Sequence, residues 1–188
     1  MVLLDELDRV NAACNTGPLI SAFQCAGTEL LKRYVARLYV APTELTELER
    51  HGWKREIEVL VRDGFAVVAS GLSRVEKDQA ASLARRIATH QLSGNPNPAN
   101  HLPEAEMLVI ALRLELHCRI VLLDEKAARA VAMEIGLRVT GFPGILARAG
   151  ADGLVTKADI YQLLKSCQQQ GTHYSAALIA HVAGVYGR

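Results

Sequence analysis

Short apolar runs alternate with helix-like segments along this chain, and several runs end on a polar or acidic residue. That alternation constrains the fold more than any other feature. Residues 10–14 read as a strand that stops at Asn15-Thr16-Gly17-Pro18, where Pro18 suits a first helical turn and Thr16 can cap it. Further strands are expected over 37–40, 65–69, 119–123 and 137–140. Helices are expected over 73–90, 103–117, 126–135, 142–150, 157–170 and 175–186. Strands that alternate with helices predict an α/β fold with a mostly parallel sheet covered on both faces. Right-handed crossovers then bring the strand C-termini to one edge, where sites form.

The chain of 188 residues is long enough for one full core. No Pro/Gly/Ser-rich linker separates the C-terminal tail from the rest, so residues 1–188 read as a single domain, with a core over about 10–150 and a helical C-terminal extension over about 151–188. The stretch 91–102 reads as the one clear loop, long enough to be mobile and functional. A net charge of +1 excludes a global positive field, so nucleic-acid binding would need a local patch. Aromatic residues make up 5% of the chain, too few for a single-strand binder built on stacking platforms. Cys14, Cys25, Cys118 and Cys167 lack metal-site spacing and read as reduced thiols. No apolar run is long enough to span a membrane. The N-terminal MVLLDELDRV is acidic and too short in its apolar part for a signal peptide, so a cytoplasmic protein is expected.

Polar groups at the strand ends suggest the chemistry. Asn15 and Asp124 follow two predicted strands, Glu104 opens a helix, and Glu47 projects from the helix after the second strand. Carboxylates gathered this way suit Mg²⁺ or Mn²⁺, which take oxygen ligands, and a metal-activated water can attack a phosphodiester. Thr16 and Thr140 would orient a ligand or that water. A second reading stays open. Glu104 and Glu106 also suit a helix first turn. Glu44, Glu47 and Glu49 also suit a solvated face, and Asp124 also suits an N-cap for 126–135.

Lys126 and Arg129, one turn past Asp124, are candidates for the nucleic-acid backbone, whereas Arg85 and Arg86 read as a solvated face. His101 reads as a surface histidine, Trp53 as a partly buried anchor, and Leu108, Ala111 and Leu112 as core. Tyr161, Leu164, Leu178, Ile179 and Val182 are expected either to pack on the chain or to form a homodimer face.

Five segments, in order over residues 10–186, resemble the PIN-domain family, in the branch of VapC-like toxin ribonucleases. NTGPLI resembles that family's opening D/N-T-S-P-L-I, and APTELTEL its I-P-x-x-V-x-x-E-L. PEAEMLVIAL, RIVLLDEKAAR and VTGFPGIL resemble its later segments. The resemblance implies a three-layer α/β/α PIN fold, Mg²⁺ or Mn²⁺, endoribonuclease activity on RNA, and a small antitoxin partner. It assigns the acidic set to Asn15, Glu47, Glu104 and Asp124, with Glu106 and Glu44 as register neighbours of Glu104 and Glu47. Asn15 departs from the Asp that most active members carry. An Asn carbonyl can ligate a metal but adds no charge. A weak or inactive nucleic-acid- or protein-binding module is therefore the alternative.

Overall fold

A computed structural model describes residues 9–186. Most of the acidic N-terminal stretch read against a signal peptide lies outside the described residues. Five strands, β1 (Val10–Cys14), β2 (Val35–Val40), β3 (Ala66–Val68), β4 (Cys118–Leu122) and β5 (Val139–Thr140), pair in the order β3-β2-β1-β4-β5. Every pairing is parallel. Both β1 neighbours are long strands and the edge strands are short, which limits the unpaired backbone exposed at the sheet's edges.

Ten α-helices flank the sheet among the described residues. They are α1 (Thr16–Gln24), α2 (Thr28–Tyr34), α3 (Pro42–Arg50), α4 (Lys54–Arg62), α5 (Arg74–Thr89), α6 (Leu102–Ala111), α7 (Lys126–Glu134), α8 (Phe142–Ala151), α9 (Lys157–Gln169) and α10 (Ala176–Tyr186). The period of two in the strands sorts them into layers. Ala12, Cys14, Leu38, Val40, Ile120 and Leu122 point to one face, against α1–α4 and α8–α10. Ala13, Val121 and Val139 point to the other, against α5, α6 and α7. Trp53 is half-buried and meets Phe23 with ring centroids 5.6 Å apart.

Several expectations need correction. Helix α6 ends at Ala111, not His117. Arg113 leaves the helix because its side chain is drawn to α5, donating from Nε to Glu76 Oε1 at 2.6 Å and from Nη1 to the Ser70 carbonyl at 3.0 Å. Leu112 consequently faces out at 45% exposure instead of joining the core. His101 is buried, not on the surface, and its Nε2 meets the Asn95 carbonyl at 2.8 Å and Ser93 Oγ at 3.3 Å. It ties down the 91–102 segment, which includes a 3₁₀ turn at Pro98–His101.

The caps also shift by one residue. Asn15, not Thr16, caps α1, and Glu125, not Asp124, caps α7 by accepting from the Ala127 and Ala128 amides. In the C-terminal extension, Leu164, Ile179 and Val182 are buried against the body of the chain, leaving Tyr161 and Leu178 partly exposed. The extension's apolar face is thus mostly used within the chain.

Candidate active site

Parallel pairing sets the C-terminal ends of all five strands on one edge, and α6 begins beside it. Leaving β1, Asn15 adopts an extended backbone and its Oδ1 accepts the Gly17 amide at 3.3 Å. The next side chain crosses to α3, where Thr16 Oγ1 donates to Glu47 Oε2 at 2.6 Å. One turn earlier on α3, Glu44 is fully buried. Its Oε2 accepts the Ala41 amide at 3.2 Å, while Oε1 has no partner. Opposite, α6 supplies Glu104, whose Oε2 is also buried without a partner, and Glu106, which accepts from Thr43 Oγ1 at 2.8 Å.

Like charges meet here, with Glu44 fully buried, Glu104 and Glu106 partly so, and the Glu47 side chain 42% exposed at the rim. Burial pushes the Glu44 carboxyl well above the usual carboxylate range, and the nearby Glu47, Glu104 and Glu106 act in the same direction. Burial also raises Glu104, with Glu47 and Glu125 adding to the shift and the Glu104 amide and His101 opposing it.

Asp124 sits differently. The carboxylate is wedged between Gly17 and Gly141, and a Cβ on Gly141 would collide with its Oδ1. Tyr174, in the segment between α9 and α10, donates its hydroxyl to Oδ2 at 3.3 Å. The same hydroxyl lies 2.7 Å from Ser21 Oγ. The Phe142 amide and the Arg129 guanidinium also favour the ionised form, yet burial outweighs all three and pushes Asp124 up to about 6. Arg129 is held in place by donation from Nη1 to the Leu123 carbonyl at 2.6 Å.

The edge therefore brings Glu44, Glu47, Glu104 and Glu106 into one shared field, while Asp124 occupies its own pocket nearer α8. Among the described residues, no group of three or more His, Cys, Asp and Glu side chains stands drawn together around an ion position. The donors nevertheless suit a hard divalent cation, because they are oxygens and two of them are buried and unsatisfied. Thr140 is buried against Gly144 at the start of α8. Lys126 is exposed on the first turn of α7. The sequence reading missed Tyr174 and Ser21, and it gave Glu44 only a secondary place. Nothing local to Thr172-His173-Tyr174-Ser175 signals a contact with a residue 50 positions earlier.

A parallel α/β sheet with acidic side chains at its C-terminal edge defines the class to which the chain belongs. A family model described as a PIN domain matches residues 11–187, and the chain belongs to that family. Proteins with this domain are generally nucleases, and they generally use divalent metals. Comparison with curated proteins and with solved structures gives no match. No helix among the described residues is long and apolar enough to cross a membrane.

Proposed function

We propose that this chain is a metal-dependent endoribonuclease that hydrolyses RNA phosphodiesters, acting inside the cell as the toxin-like member of a pair with a small antitoxin. The observation that carries the reading is the pair of buried, unpartnered carboxylate oxygens, Glu44 Oε1 and Glu104 Oε2, on two helices facing one sheet edge. Buried polar atoms normally have partners, and an isolated buried carboxylate is costly. A divalent cation offsets both the missing partners and the mutual repulsion of the acids.

Glu44, Glu47 and Glu104 would hold Mg²⁺ or Mn²⁺, with Glu106 as the neighbour of Glu104, and with Asp124 and the neutral Asn15 carbonyl completing the set from the strand ends. The ion, when bound, would supply a water acidic enough to attack phosphorus near neutral pH. The chain's own groups do the rest. Thr16 fixes the Glu47 carboxylate by its 2.6 Å hydrogen bond, and Tyr174 fixes Asp124. Arg129 lies beside that pocket and Lys126 is exposed on the first turn of the same helix, and both would provide positive charge for the phosphate backbone.

Cleavage of a labelled single-stranded RNA in Mn²⁺ tests the reading. The parent should cleave, and Glu104→Gln should lose activity by about 100-fold or more, the scale on which catalytic electrostatics operate. Equal cleavage by both proteins would overturn the assignment. A binding module without hydrolysis is the second reading, favoured by the neutral Asn15 and its use as a helix cap. Asn15→Asp keeps a capping residue and adds a carboxylate. A marked gain in cleavage would support the nuclease reading, and RNA binding without any gain would support the module.

A further inference from the structure

We infer that Cys25 and Cys167 form a redox-modifiable pair, which a hydroperoxide converts to a disulfide linking the end of α1 to α9. The inference goes beyond the nuclease reading and does not depend on it. Both sulfurs meet the same acceptor: Cys25 Sγ donates to the Ser21 carbonyl at 3.2 Å, and Cys167 Sγ donates to that same oxygen at 3.2 Å. That shared acceptor brings two thiols 142 residues apart in sequence to one backbone oxygen.

A polar clasp holds the flanking backbone in register. Gln24 Nε2 donates to the Gln170 carbonyl at 2.9 Å, and Gln170 Nε2 returns a bond to the Gln24 carbonyl at 2.6 Å. Ser166 Oγ donates to the Gln24 carbonyl at 3.3 Å, and Thr172 Oγ1 to Gln24 Oε1 at 2.6 Å. All four bonds meet Gln24, the residue before Cys25, and on the other side they flank Cys167 at Ser166 and Gln170, so the backbone on which both cysteines sit is tied together.

The two positions differ in the way a two-step oxidation requires. Cys25 is half-buried and within reach of a small oxidant, whereas Cys167 is fully buried beside it. The neighbouring Cys167 thiol lowers the Cys25 thiol against the opposing effect of burial, which favours the thiolate. In the first step, the Cys25 thiolate attacks the hydroperoxide, an S–O bond forms, the O–O bond breaks and an alkoxide leaves to take a proton. In the second, the Cys167 sulfur attacks Cys25–SOH, an S–S bond forms, the S–O bond breaks, and hydroxide leaves with the thiol proton as water. The sum is two thiols and one hydroperoxide giving a disulfide, an alcohol and water. The link would lock residues 170–174, the segment that brings Tyr174 to Asp124.

The test treats the reduced full-length chain with a small excess of hydrogen peroxide, followed by thiol titration, peptide mapping and thermal melting. Free thiols should fall from four to two, a linked peptide containing Cys25 and Cys167 should appear, and dithiothreitol should reverse both. The melting temperature should rise by roughly 5–10 °C, because the bond closes a long loop in the unfolded chain. Cys167→Ser should abolish the linked peptide and the rise. Four thiols after treatment would overturn the inference. So would a Cys25 sulfinate with no cross-link, or a disulfide through Cys118 in its place. Because mapping and melting are read on the parent, the outcome stands even if the variant does not fold.

Discussion

The two ends of the acidic edge are built on opposite principles. At the Asp124 end, a short side chain leaves a strand and is clamped by Gly17, Gly141, Tyr174 and the Phe142 amide. At the glutamate end, longer side chains come from two helices, and two of their oxygens are buried without a partner. Asp124 is held by its protein partners before any ligand arrives. Glu44 and Glu104 each keep one buried oxygen without a protein partner, the shortfall that the proposed cation would make good. The contrast teaches that residue type and position on the edge do not determine a carboxylate's role, whereas the partners that surround it do.

The sharpest way to break the contrast is Gly141→Ala. A methyl there collides with Asp124 Oδ1, so the carboxylate must leave its clamp. A loss of about 2–3 kcal/mol in urea unfolding is expected. An unchanged midpoint would mean that the clamp is loose.

The pH dependence of the metal-free protein comes next. Asp124 rises from an ordinary 3.8 to about 6 in the folded state. Between these values the folded state keeps a proton that the unfolded state has released. The contribution is therefore full below pH 4 and lost as pH rises through 6. Stability should fall by about 2 kcal/mol over that window from this group alone. Glu44 and Glu104, also raised, act with the same sign. Asp124→Asn should flatten the fall in the 4–6 window, and a curve unchanged by that variant would assign the dependence to the glutamates alone.

A smaller effect distinguishes the glutamate end. Glu104→Gln removes one buried negative charge from a crowded field, so the metal-free protein should gain about 1 kcal/mol at pH 7. A loss of similar size would show that Glu104 is already satisfied. The smallest expected effect is that of Tyr174→Phe, about 0.5–1 kcal/mol for one hydrogen bond, together with a further rise of the Asp124 pKa. Nuclear magnetic resonance titration of the Asp124 carboxyl would read that rise, and a fall would contradict the donor role of Tyr174.

Much of the fold was legible because its signals are local. Alternating apolar runs, Pro and Gly punctuation and the polar strand ends predicted an α/β parallel sheet and its C-terminal edge. The α6 end was misread because Arg113 belongs by periodicity to the helix and by pairing to Glu76 on α5. The surface reading of His101 failed because its burial depends on Ser93 and Asn95, which the loop folds back around it. Strand ends and helix starts were enough to nominate Asn15, Thr16, Glu47, Glu104 and Asp124 as candidates, and the fold brings them to the one sheet edge. Their division into two settings could not be read that way, because it depends on Tyr174, on two glycines and on which α3 glutamate turns inward. Glu44 and Glu47 lie one turn apart on an amphipathic helix, and only the packing of α3 on the sheet decides that Glu44 is buried.

Calorimetric titration of the metal-free full-length chain with Mn²⁺, repeated on Glu104→Gln, tests the central claim most directly. The account predicts saturable binding by the parent and a loss of at least about tenfold in affinity, or 1.4 kcal/mol, in the variant. No binding to the parent, or equal affinity in both, would contradict it and leave the unpartnered glutamates without a cation to explain them.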